Sequence, residues 1–289
     1  MSPHSRNLLQ IHVAVLLFGF AGLFGKFLTL APVVIVFGRV VFASLALLLA
    51  ALLWRRTFGS LSRRGLFAFA ALGILLAVHW TTFFQSVQTS SVALALITFS
   101  TFPVFVIFLE PLFFREKLHT IEVVLAVVAL AGIVLLVPNF DPGDRATQGV
   151  LWGVASGLTF AILSLLNRKY VRQHSSLTIA LYQDLFAAVA LVPFVVLEWP
   201  TFAPRDVLLL GVLGVLCTAV AHSLFIAGLH GIKAGTASMI ACLEPVYGAI
   251  LAAILLDEIP SARILLGGAI VLGVAFCVTV RPRSMKDEG

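Results

Sequence analysis

Apolar stretches long enough to cross a bilayer follow one another along this chain from Leu8 to Val280, and no segment between them is long enough to fold by itself. This pattern dictates the solvent. A helix rises about 1.5 Å per residue and the hydrocarbon layer is about 30 Å thick, so a span needs roughly 20 mostly apolar residues. Ten segments qualify: 8–28, 33–54, 66–87, 91–114, 120–138, 149–167, 176–197, 207–229, 234–256 and 262–280. Hydrophobic residues make up 61% of the 289 and charged residues 11%, more apolar surface than a water-soluble domain of this length can bury. The expected fold is an all-α integral membrane protein with ten transmembrane helices. The apolar run at the N-terminus is read as an uncleaved first helix rather than a signal peptide, because many spans follow it.

One long run, Ser91 to Glu116, has a weak copy 142 residues later, Lys233 to Glu258. Ala95 falls on Ala237, Pro103 on Pro245, Val104 on Val246 and Glu116 on Glu258, and each proline lies near the middle of its run. Proline removes a backbone donor and crowds the carbonyl four residues earlier, so both runs are expected to kink. The carbonyls concerned, of Phe99 and Ala241, should face protein or a watery cavity rather than lipid. The polar stretch 139–148 reads as a linker between an N-terminal five-helix repeat, 1–138, and a C-terminal one, 149–289. An odd number of spans per half inserts the second half upside down, which gives two inverted five-helix repeats. With the N-terminus in the cytoplasm, 14 of the 19 Lys and Arg fall inside and four outside, with Arg39 in a span, so both termini are expected to be cytoplasmic. Gly149, Gly153, Gly157 and Ala161 form a small-residue stripe suited to close helix packing.

Ionisable groups inside spans are costly, and each is a candidate for function. Arg39 in the second span either binds a substrate carboxylate, snorkels, or bonds loop carbonyls. Asp184 in the seventh span falls almost opposite it in the repeat, on the Phe42/Phe186 match. Counting rise from the helix ends puts the two at heights on the order of 10 Å apart, which argues against a direct ion pair. His79 and His222 lie about two-thirds along the third and eighth spans, and each either lines the pathway or bonds a neighbouring helix. Glu244, beside Pro245, either meets a substrate amine or proton, or bonds backbone freed by the proline. Its counterpart in the first run is Phe102. Among the aromatics, Trp80, Phe83, Phe99 and Tyr182 stand close enough to polar midplane positions to join His79, His222 and Glu244 in binding a substrate. Aromatic walls with few polar groups suit an amphipathic amino acid or a flat cation. Pro103 and Pro245 are the expected gating kinks.

Several chemistries are excluded. There is no GxxxxGK[ST] loop for ATP, and no HExxH or serine motif for an enzyme. The three cysteines, Cys217, Cys242 and Cys277, have no metal or disulfide spacing. The net charge of +6 sits in short loops, where it reads as a topology signal rather than a nucleic-acid footprint.

Phe18-Gly19 through Lys26, Pro32 with Arg39 and Ala43, Leu94 to Glu116 with Pro103, and Leu243-Glu244-Pro245-Val246 to Asp257-Glu258 together resemble the drug/metabolite transporter superfamily in its ten-span EamA-type branch. Within that branch the chain most resembles the YddG-type exporters of (aromatic) amino acids. One departure is Phe18, where the family pattern has tryptophan. The resemblance implies a secondary transporter of the bacterial inner membrane that exports amino acids or related small metabolites by alternating access through a central cavity. That cavity would be lined mainly by the third, fourth, eighth and ninth helices. No cofactor and no metal are expected. The partners are a small-molecule substrate and membrane lipid, with no nucleic acid, and the protein is a monomer or weak homodimer. The alternatives are an intramembrane enzyme, a passive channel, and a nucleotide-sugar or other metabolite carrier of the same fold.

Overall fold

A computed structural model describes residues 3–53, 62–114, 118, 120–136, 141–170, 174–198, 200–229 and 240–280. Among these the regular structure is helical: α1 (Pro3–Phe27), α2 (Pro32–Leu53), α3 (Arg63–Thr89), α4 (Val92–Phe99), α5 (Phe102–Phe114), α6 (Thr120–Leu136), α7 (Arg145–Tyr170), α8 (Ser176–Glu198), α9 (Pro204–Gly214), a π-helical turn (Val215–Val220), α10 (Ala221–Leu229), α11 (Glu244–Leu256) and α12 (Ala262–Val280). Among the described residues seven helical segments are long and apolar enough to cross a membrane, with α4 and part of α5 counted as one and α9 to Phe225 as another. Three shorter apolar helices accompany them, Thr120–Leu136, Glu244–Leu256 and Ala262–Cys277. Residues 234–239 of the expected ninth span lie outside the described residues, as does Glu116.

The prolines act differently from expectation. Neither run is one kinked helix. The first breaks at Ser100–Thr101, and Pro103 is the second residue of α5; the second turns at Cys242–Leu243, and Pro245 is the second residue of α11. Proline disfavours α geometry in the residue before it, yet fits the first turn of a helix, where its missing N–H has no partner to lose. The hydrogen bonds at the two breaks match at the 142-residue offset. The Thr101 amide donates to the Thr98 carbonyl (3.2 Å) and the Leu243 amide to Ile240 (2.9 Å); Phe105 donates to Thr101 (3.4 Å) and Tyr247 to Leu243 (2.9 Å). The Phe99 carbonyl faces α7, where a Cβ on Gly157 would stand 2.9 Å from it. The acceptor therefore lies against protein.

Neighbouring helices set the directions. The last turn of α3 reaches the start of α2, where Gln88 Nε2 donates to the Leu30 carbonyl (2.9 Å), so α2 and α3 run oppositely. Helix α8 runs with α3: Phe69 meets Tyr182, and Gly73 meets Gln183 and Phe186. Helix α9 runs with α2: Gly38 meets Leu210, and Gly214 meets Phe42. The two close approaches use the same three atoms. A Cβ on Gly73 would meet Phe186 Cβ, the Gln183 carbonyl and the Ala187 amide; one on Gly214 would meet Phe42 Cβ, the Arg39 carbonyl and the Ala43 amide. Ala43 and Leu47 of α2 share a buried cluster with Leu181 of α8 and Ala219 of the π turn.

Helix α1 packs on α11 through glycines: a Cβ on Gly248 would lie 3.2 Å from the Gly19 carbonyl and would collide with Leu96 Cδ1. Gly248→Val should therefore cost stability, by about 1–3 kcal/mol or more, since neither backbone can retreat. Thermal unfolding in detergent reads this, and an unchanged midpoint would contradict the packing.

One end of the bundle is tied together. Asp257 at the end of α11 adopts a left-handed turn (φ 55°), and this turns Glu258 back over the bundle. Glu258 Oε2 accepts from the Val92 amide at the start of α4 (2.9 Å), and Oε1 lies 3.7 Å from Lys26 Nζ at the end of α1. Lys26 also donates to the Ser90 carbonyl (2.7 Å), and Arg145 of α7 donates to the carbonyls of Thr89 and Gln88.

Candidate functional site

Helix α3 supplies the centre of the bundle with three groups on one face: His79, Trp80 and Phe83, all buried. Trp80 is a platform. The Arg39 guanidinium carbon stands 3.8 Å from its ring centroid, a close cation–π contact. The His222 ring is 6.2 Å from Trp80, and Phe18 meets His222 edge-on at 5.5 Å. On the other side His79 leads to Phe99 (5.4 Å) and Phe160 (5.1 Å). Phe99 then touches Phe83 (5.9 Å) and stacks on Phe102 (5.4 Å) beside the break between α4 and α5. The result is a continuous aromatic wall drawn from α1, α3, α4, α5, α7 and α10.

Arg39 is 4% exposed and lies over Trp80 inside the bundle. Its Nε donates to Thr218 Oγ1 (2.7 Å). Thr218 in turn donates to the Leu213 carbonyl five residues earlier (2.9 Å), a bond made possible by the π turn. Turns of this kind recur at functional sites in helices. Asp184 is 2% exposed, and its Oδ2 has no hydrogen-bond partner among the described residues. Leu181, one turn before Asp184, shares a cluster with Ala43, one turn after Arg39. Since α2 and α8 run oppositely, Arg39 and Asp184 occupy one layer rather than two separated heights. They make no ion pair within 4.0 Å, the limit within which Lys26–Glu258 is found. Asp184 and Glu244 both lie within electrostatic reach of Arg39. Glu244, at the start of α11, and His222 are half-buried.

His79 is anchored to α7. Its Nδ1 donates to the Ser156 carbonyl (3.0 Å), and the Ser156 hydroxyl donates to the His79 carbonyl (3.1 Å). In the neutral ring this leaves Nε2 as the acceptor. Ser156→Ala removes the hydroxyl's contacts with Nδ1 and the His79 carbonyl, about 1 kcal/mol of hydrogen bonding, but keeps the backbone carbonyl to which Nδ1 donates, so the ring stays held. Transport should persist with a modest loss of stability in detergent unfolding, and a collapse of transport in a variant that folds would show that the hydroxyl itself acts in the site.

Tyr182 is not part of this group. The pairing of Gly73 with Gln183 and Phe186 sets Tyr182 level with Phe69, to which its ring is 5.8 Å. Phe69 lies 11 residues before Trp80 on α3, roughly 16 Å away along the axis. The structure therefore gathers His79, Trp80, Phe83, Phe99, His222 and Glu244 around Arg39 and Asp184, and leaves Tyr182 with Phe69, Tyr170 and His174. Sequence reasoning missed Thr218, Ser156, Phe102 and Phe160. Ser156 stands beside Gly157 in the small-residue stripe, a signal that was available; a lone threonine in an apolar span gives none. A separate recess of about 440 Å³ between α11 and α12, lined by Ile240, Cys242, Leu243, Val246, Leu272, Gly273 and Phe276, holds none of these groups.

A buried polar layer inside an aromatic wall, in a bundle of apolar helices, is the arrangement of a membrane carrier, and comparison with known sequences agrees. The profile of the EamA-like transporter family matches residues 6–137 and 147–280. The chain belongs to this family. It is thus a multi-pass membrane transporter of the drug/metabolite transporter superfamily. Among its EamA relatives is the uncharacterized transporter YxxF of Bacillus subtilis, 26% identical over 86% of this chain and 81% of that one. The inner membrane transporter YicL of Salmonella typhimurium is 23% identical over 98% of each. An S-adenosylmethionine uptake transporter of Rickettsia bellii is 24% identical over 75% of this chain and 74% of that one. A solved crystal structure superposes over the full length of both chains with a TM-score of 0.67 at 18% identity, which shows a common fold.

Proposed function

We propose that this EamA-family transporter is a ten-helix carrier of two inverted repeats that exports amino acids, aromatic or neutral, or closely related metabolites from the bacterial cytoplasm. The observation that carries the reading is the buried Arg39 stacked on Trp80 with buried Asp184 in the same layer and the half-buried His222 against Trp80, between helices that break at Pro103 and Pro245. An amino acid has both a charged end and an apolar one, and this layer offers partners for each. The repeat reading is supported by the matched hydrogen bonds at the two breaks and by the shared three-atom contacts of Gly73 and Gly214. Inversion is supported by direction: α8 runs with α3 while their counterparts α2 and α9 run the other way.

The charge bias puts both termini in the cytoplasm. The end tied by Lys26, Glu258 and Val92 is then the outer one, and the central site would open inward. Alternating access requires that tie to release. S-adenosylmethionine is itself an amino acid carrying a cation and a flat purine, so the same wall suits it, and the direction of transport is the point on which the Rickettsia relatives differ from an exporter.

The test is purified protein in proteoliposomes, with a panel of labelled amino acids and S-adenosylmethionine. Preloading with unlabelled solute should accelerate exchange of the label. Uptake that is saturable but never accelerated would speak for a channel, and no transport of any panel member would sink the substrate assignment.

A further inference from the structure

Arg39 has no counter-ion within 4.0 Å among the described residues, although burying an unpaired charge in a membrane protein is costly. Its one hydrogen bond to a described residue is from Nε, to the neutral hydroxyl of Thr218. Guanidinium carries five N–H donors, and the four on its terminal nitrogens make no bond to a described residue. One face of the group is covered by Trp80. The edge left over is the two-pronged one that pairs with planar oxyanions.

Packing does not explain the charge. The contact that Arg39 makes through its carbonyl to Gly214 is made in the other half by Gln183, through its carbonyl, to Gly73. Gln183 is neutral and is satisfied by Asn167 Oδ1 at 2.5 Å. The same joint therefore closes without an ion. In the same layer Asp184 carries a buried oxygen with no hydrogen-bond partner among the described residues. A fixed cation with open donors and an acid with an open oxygen, not paired to each other, form two halves of a site for a molecule that carries both charges.

We infer that Arg39 is the carboxylate-docking group of this transporter: its guanidinium, fixed by Thr218 and Trp80, takes the carboxylate of the solute, and Asp184 takes the ammonium group. This rests on the amino acid reading above and adds which chemical group the site selects. Thr218 acts as a positioning residue, since it touches Arg39 rather than the solute.

Binding to the reconstituted protein tests it with four probes of one shape: L-phenylalanine, its methyl ester, N-acetyl-L-phenylalanine and phenethylamine. Loss of a charge-assisted hydrogen-bond pair weakens binding by about 10- to 100-fold, so wild type should prefer the acid to the ester and to phenethylamine by that factor. The N-acetyl compound should keep the preference for carboxylate and lose affinity through Asp184. In Arg39→Met the acid should fall to the level of the ester while the ester is bound as before; a structural role would weaken both together. Thr218→Val, which leaves the charge in place, should reduce the acid-to-ester ratio several-fold and gives a second measurement if Arg39→Met does not fold. Equal binding of acid and ester by wild type, or an acid preference that survives in either variant, overturns the inference. If amino acids are carried but acid and ester are equivalent, the docking role fails and the amino acid reading stands. If phenylacetate is bound in an Arg39-dependent way and no amino acid is, the docking role stands and the amino acid reading fails.

Discussion

Trp80→Ala should abolish transport and lower stability by about 3–5 kcal/mol, the range for removing a large buried aromatic side chain. Among the described residues Trp80 is the one ring in contact with both Arg39 and His222, so its loss does more than open a cavity. The guanidinium loses the surface that covers one face, and the aromatic wall divides between His222 and His79. Trp80→Phe keeps a ring in place and should retain transport at reduced rate, with most of the stability. Initial rates in proteoliposomes, paired with thermal unfolding in detergent, separate the two effects. An alanine variant that folds and transports at the wild-type rate would remove Trp80 from the site altogether.

The second large effect concerns the tied end. Lys26→Cys with Glu258→Cys, joined by a short bis-methanethiosulfonate reagent through disulfides, should reduce transport to background, and reduction of those disulfides should restore it. The native tie is weak by construction. Lys26 and Glu258 are each 24% exposed, and ion pairs so placed contribute about 0–1 kcal/mol. The bond from the Val92 amide adds a carboxylate at a helix N-terminus, worth about 0.3–1 kcal/mol. A tie of that size closes one side without trapping the carrier, whereas a covalent one should trap it. Undiminished transport by the cross-linked protein would mean that this end does not open during the cycle.

Much of this architecture is legible in the letters because the bilayer imposes it. Span length and the small-residue stripe on α7 each follow from a single physical requirement that sequence alone expresses. The paired prolines were also visible, but their effect was not. Whether a proline bends a helix or starts a new one depends on what packs against the freed carbonyl, and for Phe99 that neighbour is Gly157, 58 positions away in sequence. The site was half legible for the same reason. His79, Trp80 and Glu244 stand out as polar or amphipathic groups in apolar runs. Tyr182 was misplaced because the register between α3 and α8 is fixed by Gly73, and spacing within one helix carries no information about its neighbour. Height counted from helix ends likewise separated Arg39 from Asp184, which the tilt and register of α2 and α8 bring to one layer.

The π turn has a further consequence, for the phase of everything that follows it. Gly73 and Pro103 are 30 positions apart, while Gly214 and Pro245 are 31 apart, so one residue more lies between the second glycine and its proline. A π turn is the place where a helix absorbs one residue without losing its axis. Each residue of an α-helix advances about 100° around that axis, so the added one rotates α10 relative to α9 by that amount. Thr218 stays with Arg39, and His222 swings to face Trp80. A single deletion between Val215 and Val220 would restore an ordinary helix and turn His222 away from the wall, leaving Trp80 with no ring on that side.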